Sequence, residues 1–375
     1  MKAGSRQGMK VLQIIHTQGH GGAENIFRWL AWRIRREGIN VVAGIPEKNG
    51  SAKEYWIGPA LEELNVPYVT FDKNGSGLNL LKSIKRLIEN VQPDIVHSHL
   101  LDSNFYSALA CRRLSMPHIC TEHGDIALKT MLSHALKYYL LPVFTDSVVC
   151  VSKAVRQRAA RLPYQRKFSV IYNGIVPGKE TDSTFRRELG LSHDAVLIGN
   201  VGNLYPVKGQ RYLIEAFSRC AALFPRAYLI LVGRGSERQE LEAQARRLEI
   251  PAGRIVFTGF RSDVVNILRS LDLYVQPSLS EGLPVSLLEA VWHQIPVVAT
   301  AVGGVPEVLA EGEHGILVAP GSSAELEGAI KKVVENLAVY KIRAKAARRL
   351  VEEKFSLDSM ARQYIELYDK TLGMQ

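Results

Sequence analysis

The sequence contains no apolar run that approaches the roughly 18 residues needed to cross a membrane. It also lacks a secretory signal, because the apolar segment VLQII (residues 11–15) is too short for a signal core and polar His16 follows at once. Residues 1–8, MKAGSRQG, read as a polar tail with Met9 as a candidate native start. We therefore expect a cytoplasmic protein whose membrane contact is peripheral, on the inner face of the plasma membrane.

Cysteine is scarce and shows no pattern. The four cysteines, Cys111, Cys120, Cys150 and Cys220, lack the paired spacing of a metal-binding motif, so we interpret them as reduced thiols of a cytoplasmic protein. The sequence also lacks a nucleic-acid-binding module with its aromatic pattern, which argues against a nucleic acid partner.

The positive charge is confined to one half of the chain. The net charge is +10, and residues 1–178 hold 23 Lys and Arg against 13 Asp and Glu, whereas the remainder holds 24 of each. An unevenly basic half is attracted to anionic partners. The expected partners are an anionic membrane surface or a lipid-linked acceptor.

Short strand-like segments alternate with amphipathic helical segments in two series. The first series is VLQII, VVAGI, YVTF, DIVHSH, HICT and SVVCV, and the second is AVLIGNVG, AYLILVG, RIVFTGF, LDLYVQPS and PVVAT. Residues 173–183, between them, are polar and turn-rich, as is typical of a linker. The alternation predicts an α/β protein with two Rossmann-like, doubly wound parallel-sheet domains.

A chain of 375 residues is long enough for two such domains. We place the N-terminal domain at residues 9–175 and the C-terminal domain at residues 176–355, and we predict that a last helix, residues 356–375, packs back onto the first domain. Ligands of such sheets bind beyond the carboxyl ends of the strands. Two sheets that face each other across a cleft would surround one ligand.

The segment EGLPVSLLE, residues 281–289, has the strongest functional pattern. Two glutamates flank a turn and the start of an apolar helix, with Pro284 suited to the first helical position. A helix start favours a bound phosphate because its N–H groups are unpaired and its dipole end is positive. Glu281 and Glu289 then suit the hydroxyl groups of a sugar and a ribose, although capping and surface exposure are common alternative roles.

Other strand ends carry glycines and cations. Lys208 is predicted to open a helix beside Gly209, where its ammonium would join the helix dipole at a diphosphate, although a solvated lysine is the commoner case. Further strand ends lead into Arg234, into Gly259 and Phe260, and into the close turn of residues 303–304. Phe260 and its neighbour are candidates to hold a nucleobase.

Three histidines lie at neighbouring strand ends of the first series: His97 and His99 in DIVHSH and His123 in CTEHG. A metal site is a possible interpretation, but no carboxylate pair supports it. We expect His97 and His99 to be structural, and we assign a functional role only to His123.

The order of these motifs resembles that of family 4 glycosyltransferases with the GT-B fold. The resemblance extends over nearly the whole chain, through GGAEN, DIVHSH, His123, VSKAV, VIYNGI, GNLYPVKGQ, GFRSDV, EGLPVSLLEA and GGVPEVL. It implies retaining transfer of a sugar from a nucleotide diphosphate sugar to an acceptor held mainly by the N-terminal domain. Members of this family usually need no divalent cation, and the chain has no Asp-x-Asp motif, so no cofactor is expected.

The resemblance implies a role for each matched residue. Lys208 would bind the diphosphate, Glu281 the sugar hydroxyls and Glu289 the ribose. His123 would touch the transferred sugar, and Gly22 would lie near the diphosphate and acceptor. The implied donor site also includes Asn203, Arg234, Phe260, Gly282, Leu283, Val285 and Ser286.

Two positions depart from the family pattern. Asn203 stands where an arginine is common, and Arg234 stands where an acidic residue is often found. We hypothesise that Arg234 restores the missing positive charge.

The acceptor and the exact activity stay open. Residues 126–144 combine apolar residues with Lys129 and Lys137, which suits a helix on an anionic bilayer as well as one buried against the sheet. The expected acceptor is a lipid-linked or cell-surface polysaccharide or lipopolysaccharide precursor. The alternatives are another GT-B enzyme, such as a sugar-nucleotide epimerase or a glycogen-type phosphorylase, and a non-catalytic nucleotide-sugar-binding protein.

Overall fold

The computed structural model describes residues 8–48, 55–124, 132–176, 178 and 183–374, and the chain divides into two compact units. The first unit extends to Gly174 and resumes at Phe355, and the second spans Ile175–Lys354. The predicted polar tail, except Gly8, and residues 177 and 179–182 of the predicted linker lie outside the described residues.

The first unit contains a parallel sheet of seven strands, as far as the described residues show, in the order β3-β2-β1-β4-β5-β6-β7. The strands are β1 (Lys10–Ile15), β2 (Asn40–Pro46), β3 (Tyr68–Phe71), β4 (Ile95–His99), β5 (His118–Glu122), β6 (Ser147–Cys150) and β7 (Phe168–Val170). The helices are α1 (Gly22–Arg35), α2 (Ile57–Glu62), α3 (Gly77–Val91), α4 (Leu101–Leu114), α5 (Leu132–Phe144), α6 (Lys153–Arg158) and α15 (Leu357–Leu372).

The last helix, α15, belongs to the core of the first unit. Its side chains Tyr364 and Tyr368 are fully buried. The hydroxyl of Tyr368 lies 2.8 Å from Nδ1 of His97 in β4, and that of Tyr364 lies 2.8 Å from Oγ1 of Thr121 in β5. Buried polar groups are costly without such partners. These hydrogen bonds therefore fix α15 against the two central strands.

The second unit repeats this arrangement with a parallel sheet in the order β10-β9-β8-β11-β12-β13. Its strands are β8 (Val196–Val201), β9 (Ala227–Val232), β10 (Ile255–Gly259), β11 (Leu273–Gln276), β12 (Val297–Thr300) and β13 (Ile316–Val318). Its helices are α7 (Phe185–Glu188), α8 (Gln210–Leu223), α9 (Arg238–Arg247), α10 (Val264–Leu268), α11 (Val285–Trp292), α12 (Val305–Val308), α13 (Ser323–Glu335) and α14 (Leu337–Lys354).

The two sheets confirm the prediction of a pair of doubly wound α/β domains. Every strand pair is parallel, and the central strands β4 and β8 are buried along most of their length because both faces of each sheet are covered. In each sheet the strand order reverses once, between β1 and β4 and between β8 and β11. Ligand sites of such folds form at the carboxyl side of these reversals.

None of the helices in the described part of the chain has the length and apolar character required to cross a membrane.

Candidate active site

The loops that follow β8 and β11 meet where the strand order of the second sheet reverses. The loop after β8 carries Asn203 and Lys208, and the loop after β11 carries Glu281. Since the carboxyl ends of parallel strands lie at one edge of the sheet, these residues share that edge. The structure thus brings together the cation and the carboxylate on which the sequence analysis depends most.

Glu281 lies in the turn that leads into α11. Pro284 is the N-cap of this helix, with an extended backbone (ψ 121°), and Val285 is its first residue. Our prediction that Pro284 occupies the first helical position was wrong by one residue, because the extended backbone places it outside the helix. The N–H groups of Val285 and Ser286 have no acceptor within the helix. With buried Leu283 before them, they form the predicted phosphate-favouring helix start.

Lys208 forms an ion pair with Glu281, with Nζ 2.7 Å from Oε1. The prediction that Lys208 opens a helix was wrong in detail: it ends a 3₁₀ turn, Pro206–Lys208, and α8 begins only at Gln210. Gly209, between them, has a left-handed backbone (φ 68°) that no helical residue adopts. The side chain of Lys208 remains 28% exposed, whereas that of Glu281 is 8% exposed. Lys208 is thus anchored at a buried carboxylate and still accessible to a ligand.

Three donors converge on one oxygen of Glu281. Besides Lys208, the amide of Gln276 and the hydroxyl of Ser278 donate to Oε1, at 2.9 and 2.7 Å. Such charge-assisted hydrogen bonds fix the position of the carboxylate. The other oxygen, Oε2, accepts no hydrogen bond from the described residues. It is therefore available to a sugar hydroxyl, as the sequence analysis requires of Glu281.

Tyr274 orients this network from the interior of the sheet. Its hydroxyl lies 2.6 Å from Oε1 of Gln276 and 2.9 Å from Oγ of Ser286. Burial raises the pKa of Tyr274 well above its usual value, and the charges of Glu281 and Glu289 raise it further. The hydroxyl therefore stays protonated and donates to Gln276, which turns the Gln276 amide toward Glu281. We did not predict this series of hydrogen bonds from the sequence, although the alternation of polar residues in LYVQPS is a signal for it.

Two glycines let neighbouring loops approach the backbone around Glu281. Both are left-handed: a Cβ on Gly209 would lie 2.1 Å from the carbonyl oxygen of Pro277, and one on Gly303 would lie 2.0 Å from that of Glu281. The N–H of Gly304 donates to the carbonyl of Gly282 at 2.7 Å. The loop of Glu281 is thus held on one side by the Lys208 turn and on the other by the predicted close turn of residues 303–304.

Gly303→Ala should therefore disturb the site selectively. The methyl group has to move the Glu281 backbone and adopt a strained φ, and we expect a loss of about 1–3 kcal/mol in the free energy of unfolding together with weaker ligand binding. The matched control is Gly328→Ala in α13, where an added Cβ meets nothing within 4 Å. Urea unfolding should show the control to be unchanged or slightly more stable. Equal stability of both variants would contradict this role of Gly303.

Asn203, Arg234 and Phe260 follow the adjacent strands β8, β9 and β10. The N–H of Leu204 donates to the carbonyl of Arg234 at 2.9 Å, and a Cβ on Gly235 would lie 2.2 Å from the carbonyl oxygen of Leu204. The two loops are thus packed backbone to backbone. The Arg234 guanidinium lies over the Phe260 ring, 5.4 Å from its centroid. Arg234 is therefore held beside the loop of Asn203.

Glu289, the residue predicted to bind the ribose, lies half-buried on α11.

The three strand-end histidines of the first unit have different surroundings. His97 is fully buried between Tyr368 and Thr121, as expected of a structural residue. His123 follows β5, and its Nε2 lies 2.9 Å from Nδ1 of buried His99. Burial lowers the pKa of His123 to about 3, although the side chain keeps partial exposure. A neutral imidazole at this strand end can donate or accept a hydrogen bond.

The start of α1 forms the other predicted part of the first unit. Gly21 is the N-cap and Gly22 the first helical residue. A Cβ on Gly21 would lie 2.6 Å from Oε2 of Glu24, so this buried carboxylate folds back over the glycine turn. Gly22 itself is exposed. The turn thus presents backbone rather than side chains to a ligand.

The described residues contain no group of three or more His, Cys, Asp or Glu side chains arranged to hold a metal ion. Metal-independent catalysis stays a prediction. The four cysteines are free and buried.

Comparison with protein families yields two matches that follow each other along the chain. Residues 20–179 match the model described as "Glycosyltransferase Family 4", and residues 181–350 match "Glycosyl transferases group 1".

Curated relatives and solved structures agree with these matches. The chain is 26% identical to the lipopolysaccharide core biosynthesis glycosyltransferase LpsE of Rhizobium meliloti, over 96% of this chain and 98% of LpsE. It is 26% identical to the UDP-Gal:alpha-D-GlcNAc-diphosphoundecaprenol alpha-1,3-galactosyltransferase of Escherichia coli, over 77% of this chain and 78% of that enzyme. The structure of Anabaena Alr3699/HepE in complex with UDP and glucose superposes with a TM-score of 0.85 at 25% identity, over 96% of this chain and all of that one.

The two family matches together span almost all of residues 20–350, and the relatives that cover the chain are glycosyltransferases. The repeated Rossmann-like unit is the architecture of the GT-B fold, as in the HepE structure. The chain therefore belongs to the family 4-like glycosyltransferases with the GT-B fold.

Proposed function

We propose that this glycosyltransferase moves a hexosyl group from a nucleotide diphosphate sugar to its acceptor with retention of anomeric configuration. The observation that carries the proposal is the Lys208–Glu281 pair beside the start of α11. A diphosphate needs cations and N–H donors, and the attached sugar needs a fixed acceptor of hydroxyl protons. This edge of the second unit offers all three: Lys208, the N–H groups at the start of α11, and Glu281.

The donor we propose first is a UDP-sugar. The HepE structure, similar over nearly the whole chain, is described as a complex with UDP and glucose, and the E. coli relative is named for UDP-Gal. A thermal-shift screen of UDP-, GDP- and ADP-sugars tests this choice, since only a ligand that binds the folded chain raises its Tm. A shift with GDP- or ADP-sugars alone would exclude UDP.

During transfer, the bond between the anomeric carbon and the diphosphate breaks, and negative charge develops on the leaving group. We propose that Lys208 and the N–H groups at the start of α11 stabilise that charge. The resemblance to family 4 favours attack from the same face, with the departing phosphate taking the acceptor's proton. NMR of the product's anomeric proton tests retention, and an inverted product would refute it.

Turnover unchanged by EDTA is expected, since no metal is proposed.

Arg234 is proposed to supply the phosphate-binding charge that Asn203 lacks. Arg234→Ala should raise the donor Kd about tenfold, which corresponds to about 1.4 kcal/mol. The control is Arg247→Ala, since this exposed arginine pairs with Glu240 on the surface of α9. Isothermal titration with the donor measures both variants. An unchanged Kd for Arg234→Ala would refute the compensation.

The acceptor we propose is a lipid-linked saccharide or a lipopolysaccharide precursor at the inner face of the plasma membrane. The relatives named above act in lipopolysaccharide core synthesis and on a diphosphoundecaprenol-linked sugar. Helix α5 supports this proposal, because Leu132, Leu136, Tyr139 and Val143 are exposed at spacings of four, three and four residues. This spacing places them along one face of the helix. Residues 126–131 of the predicted membrane-contacting segment lie outside the described residues.

Basic residues cluster at the carboxyl end of the α5 stripe. Lys167 Nζ donates to the carbonyls of Pro142 and Thr145, at 2.9 and 2.6 Å. Burial lowers the pKa of Lys167, the nearby carboxylate of Asp146 opposes this shift, and the charges of Arg166 and Arg112 lower the pKa further. The apolar stripe suits the acyl core of a bilayer, and the neighbouring cations suit its anionic head groups.

Leu136→Glu/Val143→Glu should therefore weaken binding to vesicles that contain phosphatidylglycerol by about tenfold or more, because a buried carboxylate and anionic lipids both oppose insertion. Leu78→Glu on α3 is the control, since Leu78 is 68% exposed and lies outside the stripe. Cosedimentation at low and high salt measures the binding. Binding by the wild-type chain that is absent or indifferent to salt would count against the membrane contact.

A further inference from the structure

A cavity of about 470 Å³ lies on the second unit at the edge of the sheet opposite to Glu281. Its walls include residues that immediately precede strands: Asp272 before β11 and Pro296 before β12. Glu281 follows the other end of β11. The cavity is therefore separate from the proposed donor site, and a ligand bound in it would be independent of the proposed function.

Half of the residues that line the cavity are basic. They are Arg186, Arg269, Lys341, Lys345, His193 and His293. The only carboxylate in this lining, as far as the described residues go, is Asp272. The second half of the chain is electrically neutral in total, so four cations around one concave surface represent a local concentration.

Arg186 and Asp272 neutralise each other and belong to the framework. Arg186 Nη2 lies 2.5 Å from Oδ2 of Asp272, and its remaining groups donate to the carbonyls of Ser270 and Ala195, at 3.1 and 2.6 Å. The N–H of Leu197 donates to the same carboxylate at 3.0 Å. This arginine thus ties the starts of β8 and β11 together and leaves no net charge.

Three cations remain without full compensation. Lys341 lies 3.7 Å from the other oxygen of Asp272, which is a long contact for a carboxylate that Arg186 already neutralises. Within the described part of the chain, the side chains of Arg269 and Lys345 form no ion pair. Lys341 and Lys345 stand one turn apart on α14, where like charges repel. An anion in the cavity would relieve that repulsion.

We propose that this cavity binds a soluble diphosphate-bearing anion of about the size of a nucleoside diphosphate. The volume of about 470 Å³ lies in the range of small-molecule sites, and an open concave surface of this size can take up a compact anion. Lysine and arginine are the usual ligands of phosphate oxygens, and two separate phosphates can engage cations from both α14 and the end of α10. The imidazoles of His193 and His293 lie in the walls of the cavity and can report on a bound anion.

Inorganic pyrophosphate is the probe, and the ring signals of the cavity histidines are the readout. In the full chain labelled at histidine, NMR titration should move the signals of His193 and His293. Assignment by His193→Asn and His293→Asn separates them from the signals of the first unit. Pyrophosphate bound at Lys208 leaves these rings unaffected, so failure of the donor site and failure of the cavity are distinguishable.

Arg269→Glu/Lys345→Glu should raise the pyrophosphate Kd from these signals at least tenfold, and the milder Lys345→Gln should raise it several-fold. The control with the same change in net charge is Lys331→Glu/Lys332→Glu on exposed positions of α13, which should leave the Kd within twofold. Urea unfolding verifies that each variant is folded. Rings that do not respond to millimolar pyrophosphate would overturn the proposal. So would a response only to phosphatidylglycerol vesicles, an equal loss in the control, or a lower Tm with unchanged Kd.

Discussion

Lys208→Ala is expected to lower kcat/KM for sugar transfer by about 10²–10³-fold, or about 2.7–4 kcal/mol of transition-state stabilisation. The ammonium is fixed by Glu281 at 2.7 Å and still exposed on one side, so it can meet the charge that develops on the leaving diphosphate. A preorganised cation of this kind stabilises the transition state more than the ground state. We therefore expect kcat to fall together with kcat/KM, rather than KM alone to rise.

The fold should survive this change. Glu281 keeps the donors Gln276 and Ser278 after Lys208 is removed, so the buried carboxylate is not left without hydrogen bonds. Lys331→Ala on the exposed face of α13 provides the control and should retain full activity. Steady-state kinetics with the donor found by thermal shift decide the matter. Full activity in Lys208→Ala would remove the cation from the mechanism.

Acidification is expected to lower the free energy of unfolding of the first unit. Burial lowers the pKa of both His118 and His123 to about 3, and it lowers the pKa values of His97 and His99 well below the usual range. The unfolded chain binds these protons near pH 6.5 and the folded chain does not, so stability falls as pH falls from about 6.5 to about 3. At pH 5, a histidine with the lowered pKa of His118 reduces the free energy of unfolding by about 2 kcal/mol.

Glu122 opposes this trend but does not reverse it. Burial raises its pKa to about 7, although Asn104 donates to it at 2.7 Å. A raised carboxyl pKa means that the folded chain binds the proton first, which gains about 2 kcal/mol between pH 7.5 and 5. Buried Glu24 acts in the same direction. The four histidines with lowered pKa values outweigh these two carboxyls, so the net change on acidification is a loss of stability.

Tryptophan fluorescence can report this loss from the first unit alone. Three of the four tryptophans, Trp29, Trp32 and Trp56, belong to that unit, so Trp292→Phe leaves no signal from the second. Urea unfolding at pH 7.5 and pH 5 in this background should show a drop of several kcal/mol. Adding His118→Gln, which keeps a hydrogen-bonding group near Ser98, should reduce the pH slope by one proton. Stability that is constant over this range would contradict neutral buried histidines.

The sequence was sufficient for the architecture because each long strand carries its own signal. The segments VLQII and AYLILVG are apolar runs of the length that buried parallel strands require, and amphipathic helices follow them. Strands β7 (Phe168–Val170) and β13 (Ile316–Val318) were missed. Each has three residues and lies at the edge of its sheet. Such a short strand forms because it pairs with the neighbouring strand, and three residues are too few to show a pattern of their own.

At the site, the charged residues could be predicted from the sequence, but the side chains that hold them in position could not. The pairing of Lys208 with Glu281 joins residues 73 positions apart, and no local pattern contains that distance. Tyr274 and Gln276 alternate along β11, but only the folded sheet shows that the Tyr274 hydroxyl donates to Gln276 and that the Gln276 amide donates to Glu281. Asp263 is the N-cap residue of α10, but its carboxylate accepts from the side chains of Arg261 and Asn266 and forms no hydrogen bond to the helix N–H groups.

A crystal structure of the chain with a bound UDP-sugar tests the central claim most directly. We predict that the diphosphate lies within hydrogen-bonding distance of Lys208 Nζ and of the N–H groups of Val285 and Ser286, with a sugar hydroxyl on Oε2 of Glu281. A diphosphate bound elsewhere, with the Lys208–Glu281 pair left facing solvent, would contradict it.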